Sequence, residues 1–474
     1  MRKTFTQHSS LLDSDLETPV GMFIRLAGEK QGILFESAEV DGRWGRYSLI
    51  ALDFLLSASC RDGLLDLKLA EPGLRDLLEH AGKPFVAGLR DLMRSLEILH
   101  DSPAAPPITR ALYGYLGYGL AGLLEPGLAS ALPPEQAEAT LVLPGTLVLF
   151  DHVYNKISRL TLLLEGKKPL SLPPDSARGS FRHPLGTRTA DKEGYTASAA
   201  RVKNMLHQGE AIQVVLSAPF GAPLAGDPFR LYRRLRRLNP SPYMFHMNLP
   251  DGALLGSSPE VLVSCDADRL RLCPIAGTRP RSSDLAQDAL FGDELLQDPK
   301  EKAEHVMLVD LGRNDLGRIA KTGSVVLERF MEVERFSHVM HLTSRISAEL
   351  SPGLEPLDVI SATFPAGTVS GAPKIRAMEI IAEEEASPRG PYAGAVGWLG
   401  LDKDSVHLDF GIIIRSLWVR GGQARWQAGA GIVHDSDPGK EWLECLTKAE
   451  IIRKILLDEE DGEDSSARRK PCSC

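Results

Sequence analysis

The sequence predicts an α+β protein, with large antiparallel β-sheets packed in a sandwich with flanking helices and a smaller N-terminal α+β region. Short apolar runs of strand length, bounded by Gly and Pro, recur along the chain. Amphipathic helical stretches are mixed among them in irregular order, without the regular βα alternation of a doubly wound sheet. Residues 166–193 lose all periodicity and carry Pro169, Pro173, Pro174 and Pro184, which marks a linker between two regions.

In the N-terminal region, 1–165, Ile33-Leu34-Phe35, Leu112 to Leu120 and Ala139 to Phe150 read as strands, and Leu74 to Leu78 and Leu89 to Leu99 as helices. The second region is 194–457. Tyr195 to Gln208 places Ala199, Val202, Met205 and Leu206 on one helical face and stops at Gly209, before a buried strand from Ala211 to Leu216. Further strands are expected at Tyr243 to Leu249, Leu254 to Leu255, Arg269 to Pro274, Gly394 to Leu401, Val406 to Val419 and Ala424 to Val433. Helices are expected near Lys300 to Leu311, Ala372 to Glu385 and Gly439 to Leu456. The basic run Arg233 to Arg237 reads as a solvated helix face. Asp458 to Cys474, acidic, then basic and poor in apolar residues, predicts a disordered tail.

Composition narrows the function. With 474 residues, 43% hydrophobic and 25% charged, the chain is long enough for a substantial core and has a globular balance. A net charge of −9 leaves no broad basic surface for phosphates, which argues against nucleic acid as a partner. No apolar run approaches the roughly 20 residues that span a bilayer, and no basic stretch with an apolar segment opens the chain. The six cysteines include no Cys-x-x-Cys and no zinc-like spacing, and they read as reduced thiols of a cytoplasmic protein.

Several constellations could carry chemistry. Glu301 and Glu304 lie three apart on one expected helix, and Glu441 and Glu444 repeat the spacing on another, so each pair shares a helix face. Four carboxylates would converge only around a divalent cation, and all-oxygen ligation favours Mg²⁺ or Ca²⁺ over zinc. By spacing alone each pair fits a solvated helix face better than a metal site. Glycine-rich turns at Gly277-Thr278, Gly367 to Gly371 and Gly429-Ala430-Gly431 could admit an anion, yet none is a nucleotide fingerprint and each also fits a tight turn. His338 and His341 could be structural or could exchange protons. Neither Gly-x-Ser-x-Gly nor His-Glu-x-x-His occurs, against serine hydrolase and zinc protease chemistry.

Taken in order, Pro274-Ile275-Ala276-Gly277-Thr278, Glu301 to Asp315, His338 to His341, Gly367 to Lys374 and Gly429 to Glu444 closely resemble the large, chorismate-binding subunit of anthranilate synthase, component I. The resemblance runs from about Ile33 to Leu456 and implies that family's fold. Family members that make aminodeoxychorismate usually have lysine where this chain has Ala276, which cannot be a nucleophile. Water-adding relatives have a lysine base where this chain has Gln213, a neutral amide, so ammonia is the implied attacker.

The resemblance further implies that ammonia displaces the C4 hydroxyl of chorismate by attack at C2, and that pyruvate is then eliminated to leave anthranilate. Glu260 matches the general acid and His341 the histidine of the elimination, with His338 structural. Mg²⁺ would be held by Glu304 and Glu444, with Glu301 and Glu441 binding directly or through water. Arg415, Tyr392 and Gly431 match the groups that hold the enolpyruvyl carboxylate, with Gly429 alongside. Lys448, Thr368, Gly277 and Thr278 would hold the ring end, although the family's usual Asn-Lys-Ala reads Thr447-Lys448-Ala449 here. A tryptophan feedback site is implied by Leu34-Phe35-Glu36-Ser37, by Arg46-Tyr47-Ser48 and by Pro242-Tyr243-Met244, the family's usual Leu-Leu-Glu-Ser being Leu-Phe-Glu-Ser here. No segment resembles a glutamine amidotransferase, so a separate glutaminase subunit, component II, is the implied partner, in a heterotetramer of two large and two small subunits. The rival readings are an aminodeoxyisochorismate synthase, an aminodeoxychorismate synthase, and a non-catalytic protein that senses chorismate or tryptophan.

Overall fold

The computed structural model describes residues 2–12, 16–28, 30–37, 45–101, 105–164, 181–182, 190–335 and 339–457. The expected tail, most of the linker, His338, Cys472 and Cys474 lie outside the described residues.

The fold is organised on one long antiparallel pairing, Tyr47–Arg61 with Ala139–Asp151, which runs from Tyr47 opposite Asp151 to Cys60 opposite Ala139 with a one-residue register shift between Phe54 and Leu56. Both segments are almost continuously apolar, and both are buried over most of their length, as strands covered on two faces must be. From this seam the ladder runs two ways. One wing continues through Gly32–Glu36, Tyr243–Leu249, Gly252–Ser258, Ser416–Arg420, Gln423–Ile432 and Gln213–Pro223. The other continues through Ala111–Leu116, Ala395–Gly400, Leu408–Ile412, Val261–Asp266, Arg269–Leu272 and Val339–Glu349. Ile275–Pro280 and Val326–Arg335 both pair with Val339–Glu349. Strands of the N-terminal region are therefore interleaved with those of 194–457, and the linker divides the sequence without dividing the sheet. The wings face each other where the Tyr243 hydroxyl donates to Asp409 at 2.7 Å.

Most expected elements are found within a few residues, and four differ. Pro72–His80 is a 3₁₀ helix opened by Pro72, not an α-helix. The helix Phe85–Ser95 ends early, and Leu96–His100 leaves it as a strand parallel to Lys3–Leu12. The run Val406 to Val419 is two strands, Leu408–Ile412 and Ser416–Arg420, because Arg415 turns the backbone at φ 51°. The basic run is only partly solvated: in the helix Phe229–Leu238, Arg234 is buried and donates to the Ile455 carbonyl at 3.2 Å, while Arg236 pairs with Glu36 at 2.9 Å. Packing against the C-terminal helix draws the inner arginines in, and their stems bury along apolar surface. Among the described residues the four cysteines are unbridged, and no helix is long and apolar enough to cross a membrane.

Candidate active site

Glu260, the expected general acid, lies at the junction of the two wings. Glu260 stands between the strands Gly252–Ser258 and Val261–Asp266, and its carbonyl accepts from Ile412 N at 2.9 Å. Burial pushes its carboxyl up to about 7, against the opposing pull of the Thr368 hydroxyl and the Lys448 ammonium nearby. Thr368 sits in the one-turn 3₁₀ helix Gly367–Val369. Lys448, on the helix Pro438–Leu457, donates to the Gly429 carbonyl at 3.0 Å and pairs with Glu444 at 2.7 Å.

His341 projects from the strand Val339–Glu349 with Nδ1 2.8 Å from the Gly277 carbonyl and 3.1 Å from the Thr278 hydroxyl. A carbonyl only accepts, so Nδ1 carries the proton and the lone pair lies on Nε2. Burial, with a further push from the Arg415 guanidinium, holds the imidazole below its ordinary value and favours the neutral form. Gly277 is at φ +67°, and a Cβ there would lie 3.0 Å from Glu301 Oε2, so glycine is what lets that carboxylate approach the turn. The buried Arg415 guanidinium has Tyr392 beside it and, among the described residues, no carboxylate paired with it. Burial lowers its pKa, as expected for a cation awaiting an anion.

The carboxylate pairs are placed by two capped helices. Asp298 accepts from the backbone of Lys300 and Glu301 to open Pro299–Gly317, and Asp437 does the same through Gly439 and Lys440 to open Pro438–Leu457. Glu301 is raised by burial and by the charge of Glu304, Glu441 by burial and by the charge of Glu444. Lys300, on the first helix, acts on Glu441 of the second, so the two helix starts approach each other. Gln213 Nε2 donates to Glu304 at 3.1 Å, and a Cβ on Gly431 would lie 2.4 Å from that nitrogen. Among the described residues no three metal-ligating side chains are gathered into a ready cage. Glu444 is engaged by Lys448 and Glu304 by Gln213, so the expected convergence of all four carboxylates is not preassembled. The donor set suits a hard divalent ion, because each pair is self-repelling until a cation relieves it.

A second cavity of about 420 Å³ opens between the wings. Glu36, Ser37, Pro242, Tyr243 and Met244 line it, as do Arg46, Tyr47 and Trp398. Among the described residues the buried Ser37 hydroxyl has no hydrogen-bond partner, while the Glu36 carboxylate is bound by Tyr232 at 2.5 Å and Arg236 at 2.9 Å. Leu34 departs from expectation: it is fully buried, deeper in its strand opposite Ile50 and His246, and does not line the cavity. Sequence reasoning missed Asp409 in this wall, whose buried carboxyl is pushed up to about 6 while Tyr243 donates to it. It also missed Arg389, three residues before Tyr392 and buried behind the site; Asp409 stands out as a charge within an apolar stretch, whereas Arg389 lies in a polar, Pro- and Gly-rich segment that gives no such signal.

Comparison with known proteins shows the family and the fold. A family model described as chorismate binding enzyme matches residues 76–454. Anthranilate synthase component 1 of Streptomyces coelicolor is 41% identical over 94% of this chain and 87% of its own length. That of Aquifex aeolicus is 38% identical over 95% of this chain and 94% of its own length. The crystal structure of anthranilate synthase component I from Streptococcus pneumoniae superimposes with a TM-score of 0.69 at 30% identity, covering 94% of this chain and 99% of that one. A menaquinone-specific isochorismate synthase of Escherichia coli, 21% identical, shares the fold at a TM-score of 0.71. The chain therefore belongs to the chorismate binding enzymes, within the family of anthranilate synthase component 1.

Proposed function

We propose that the chain is the large subunit of an anthranilate synthase, converting chorismate and ammonia to anthranilate and pyruvate at the head of tryptophan biosynthesis. Glu260 is the observation that carries the chemistry: a buried carboxyl whose pKa near 7 keeps a proton available in neutral solution, beside Thr368 and Lys448. As ammonia bonds to C2, Glu260 gives its proton to the departing C4 hydroxyl, which leaves as water. Gln213 and Ala276 offer neither a base for water nor an amine, which leaves free ammonia as the nucleophile. In the second half, His341 accepts the C2 proton at Nε2 as the bond from the ring to the enolpyruvyl oxygen breaks and the ring becomes aromatic. Its Nδ1 proton stays anchored on Gly277. Arg415 takes the enolpyruvyl carboxylate in a two-pronged contact with Tyr392 beside it, over the bare backbone of Gly429 and Gly431. Lys448, Thr368 and the turn at Gly277 and Thr278 receive the ring end.

Mg²⁺, held by Glu304 and Glu444 with Glu301 and Glu441 directly or through water, would neutralise the ring carboxylate in an otherwise carboxylate-lined pocket. A glutaminase subunit supplies ammonia, in a heterotetramer of two large and two small subunits. Tryptophan feeds back at the cavity lined by Ser37 and Met244. Unbridged cysteines suit a reducing cytoplasm.

The test is to incubate the purified chain with chorismate, Mg²⁺ and ammonium at alkaline pH while following anthranilate fluorescence and pyruvate, with and without tryptophan. Equal anthranilate and pyruvate, suppressed by tryptophan, is the expected result. Chorismate loss without pyruvate would give the aminodeoxyisochorismate synthase reading, and no turnover would overturn the assignment.

A further inference from the structure

We propose that Arg389 is a positioning residue for chorismate: from behind the pocket it ties together the segments that carry Thr368, Tyr392 and the Gly429–Gly431 floor. This rests on the placement of chorismate argued above.

The Arg389 side chain is 1% exposed. Its Nε and Nη2 donate to the two oxygens of Glu385 at 2.9 and 2.6 Å. Nη1 donates to the Val369 carbonyl at 2.7 Å and Nη2 also to the Val215 carbonyl at 2.6 Å. The guanidinium lies 4.6 Å from the ring centre of Tyr118 and 5.7 Å from that of Tyr392. Glu385 extends the network, accepting from Ser217 N at 2.7 Å and from the Ser217 hydroxyl at 2.9 Å.

Each contact leads one step into the pocket. Val369 follows Thr368 in the same turn. Val215 and Ser217 stand opposite Gly431 and Gly429 in the ladder. A Cβ on Gly429 would lie 3.0 Å from the Tyr392 hydroxyl, so that phenol closes over the glycine floor. Arg389 itself reaches none of the reacting groups named above and acts only through these neighbours.

The geometry demands arginine. A planar guanidinium can grip a carboxylate edge-on, send donors to two separate carbonyls and present a flat face to an aromatic ring, whereas an ammonium is a single point charge. Buried ion pairs are weak evidence for stability, since apolar replacements are often neutral, so fixing geometry is the better account of this one.

Two variants test it: Arg389→Lys, which keeps the charge, and Arg389→Met with Glu385→Met, which removes both charges and strands neither. The dissociation constant of chorismate is read by calorimetry and KM and kcat by turnover, with folding checked by circular dichroism and melting. Both folded variants are expected to weaken chorismate binding and raise KM about tenfold or more, with a smaller change in kcat. Lys is not expected to rescue. A folded variant that binds chorismate within about twofold of the parent would overturn the proposal, whatever its melting temperature. Failure of the function assignment would show instead in the parent chain, as chorismate binding without anthranilate formation.

Discussion

At the residue scale, the two groups proposed to move protons are set by opposite uses of burial. Burial raises the Glu260 carboxyl, keeping it protonated below about 7, and lowers the His341 imidazole, keeping it neutral. Burial thus suits Glu260 to the proposed acid role and His341 to the proposed base role near neutral pH. With unprotonated ammonia held constant, kcat/KM is expected to be level below about 7 and to fall above it as Glu260 ionises. In Glu260→Gln that limb should vanish and the rate should drop by about 10² to 10⁴. A variant retaining the alkaline fall would move the acid role elsewhere. His341→Ala is expected to slow pyruvate release more than amination, so the ratio of aminated intermediate to anthranilate should rise, and an unchanged ratio would remove the histidine from the elimination. Both side chains were singled out in the sequence only through motifs that resemble those of the family. Arg389 was not, because its role exists only where Val215, Val369 and Glu385 meet in space.

At the element scale, the helices Pro299–Gly317 and Pro438–Leu457 could be read from their Asp caps, from Pro299 and Pro438 at their openings and from carboxylates three apart, all of them local signals. The break at Arg415 could not be read. Hydrophobic periodicity reports burial, and Val406 to Val419 is apolar on both sides of the break, while the positive φ that turns the chain leaves no trace in that pattern. The helix starts matter because they bring two self-repelling carboxylate pairs near each other, with Lys448 and Gln213 engaging one member of each. A divalent ion that binds the folded state alone raises the melting temperature by mass action, which is a readout independent of turnover. Millimolar Mg²⁺ is therefore expected to stabilise the parent chain thermally, and Glu304→Gln and Glu444→Gln to abolish that gain together with Mg²⁺-dependent activity. Equal Mg²⁺ stabilisation in both variants would dissociate these helices from the metal.

At the scale of the whole molecule, the sandwich-like fold was legible in strand-length apolar runs in irregular order, but the interleaving of the regions was not. Pairing Gly32–Glu36 with Tyr243–Leu249, or Ala111–Leu116 with Ala395–Gly400, joins segments hundreds of positions apart, which no local pattern records. That interleaving connects the proposed regulatory cavity to the strand beside Glu260. Tyr243, in the cavity wall, donates to Asp409 of the opposite wing; Asp409 lies on Leu408–Ile412, whose last residue donates its backbone N–H to the Glu260 carbonyl. On the proposed reading, a ligand seated between the wings would hold that strand in one arrangement and bias Glu260 without touching it, as inhibition from a separate site requires. The ligand's polar end needs a partner, and the Ser37 hydroxyl, which lines the cavity and has no hydrogen bond among the described residues, is the group proposed to supply one. Losing one neutral hydrogen bond costs about 0.5–1.5 kcal/mol, and leaving a buried ligand group unpaired about 1–3 kcal/mol. Ser37→Ala should accordingly raise the tryptophan concentration for half-inhibition by about tenfold, a factor that corresponds to about 1.4 kcal/mol. The measurement is anthranilate formation against tryptophan at fixed chorismate, alongside tryptophan binding by calorimetry. Unaltered inhibition with unaltered binding would separate the cavity from regulation, whereas weakened binding with a proportionate shift in inhibition would place the feedback ligand between the two wings.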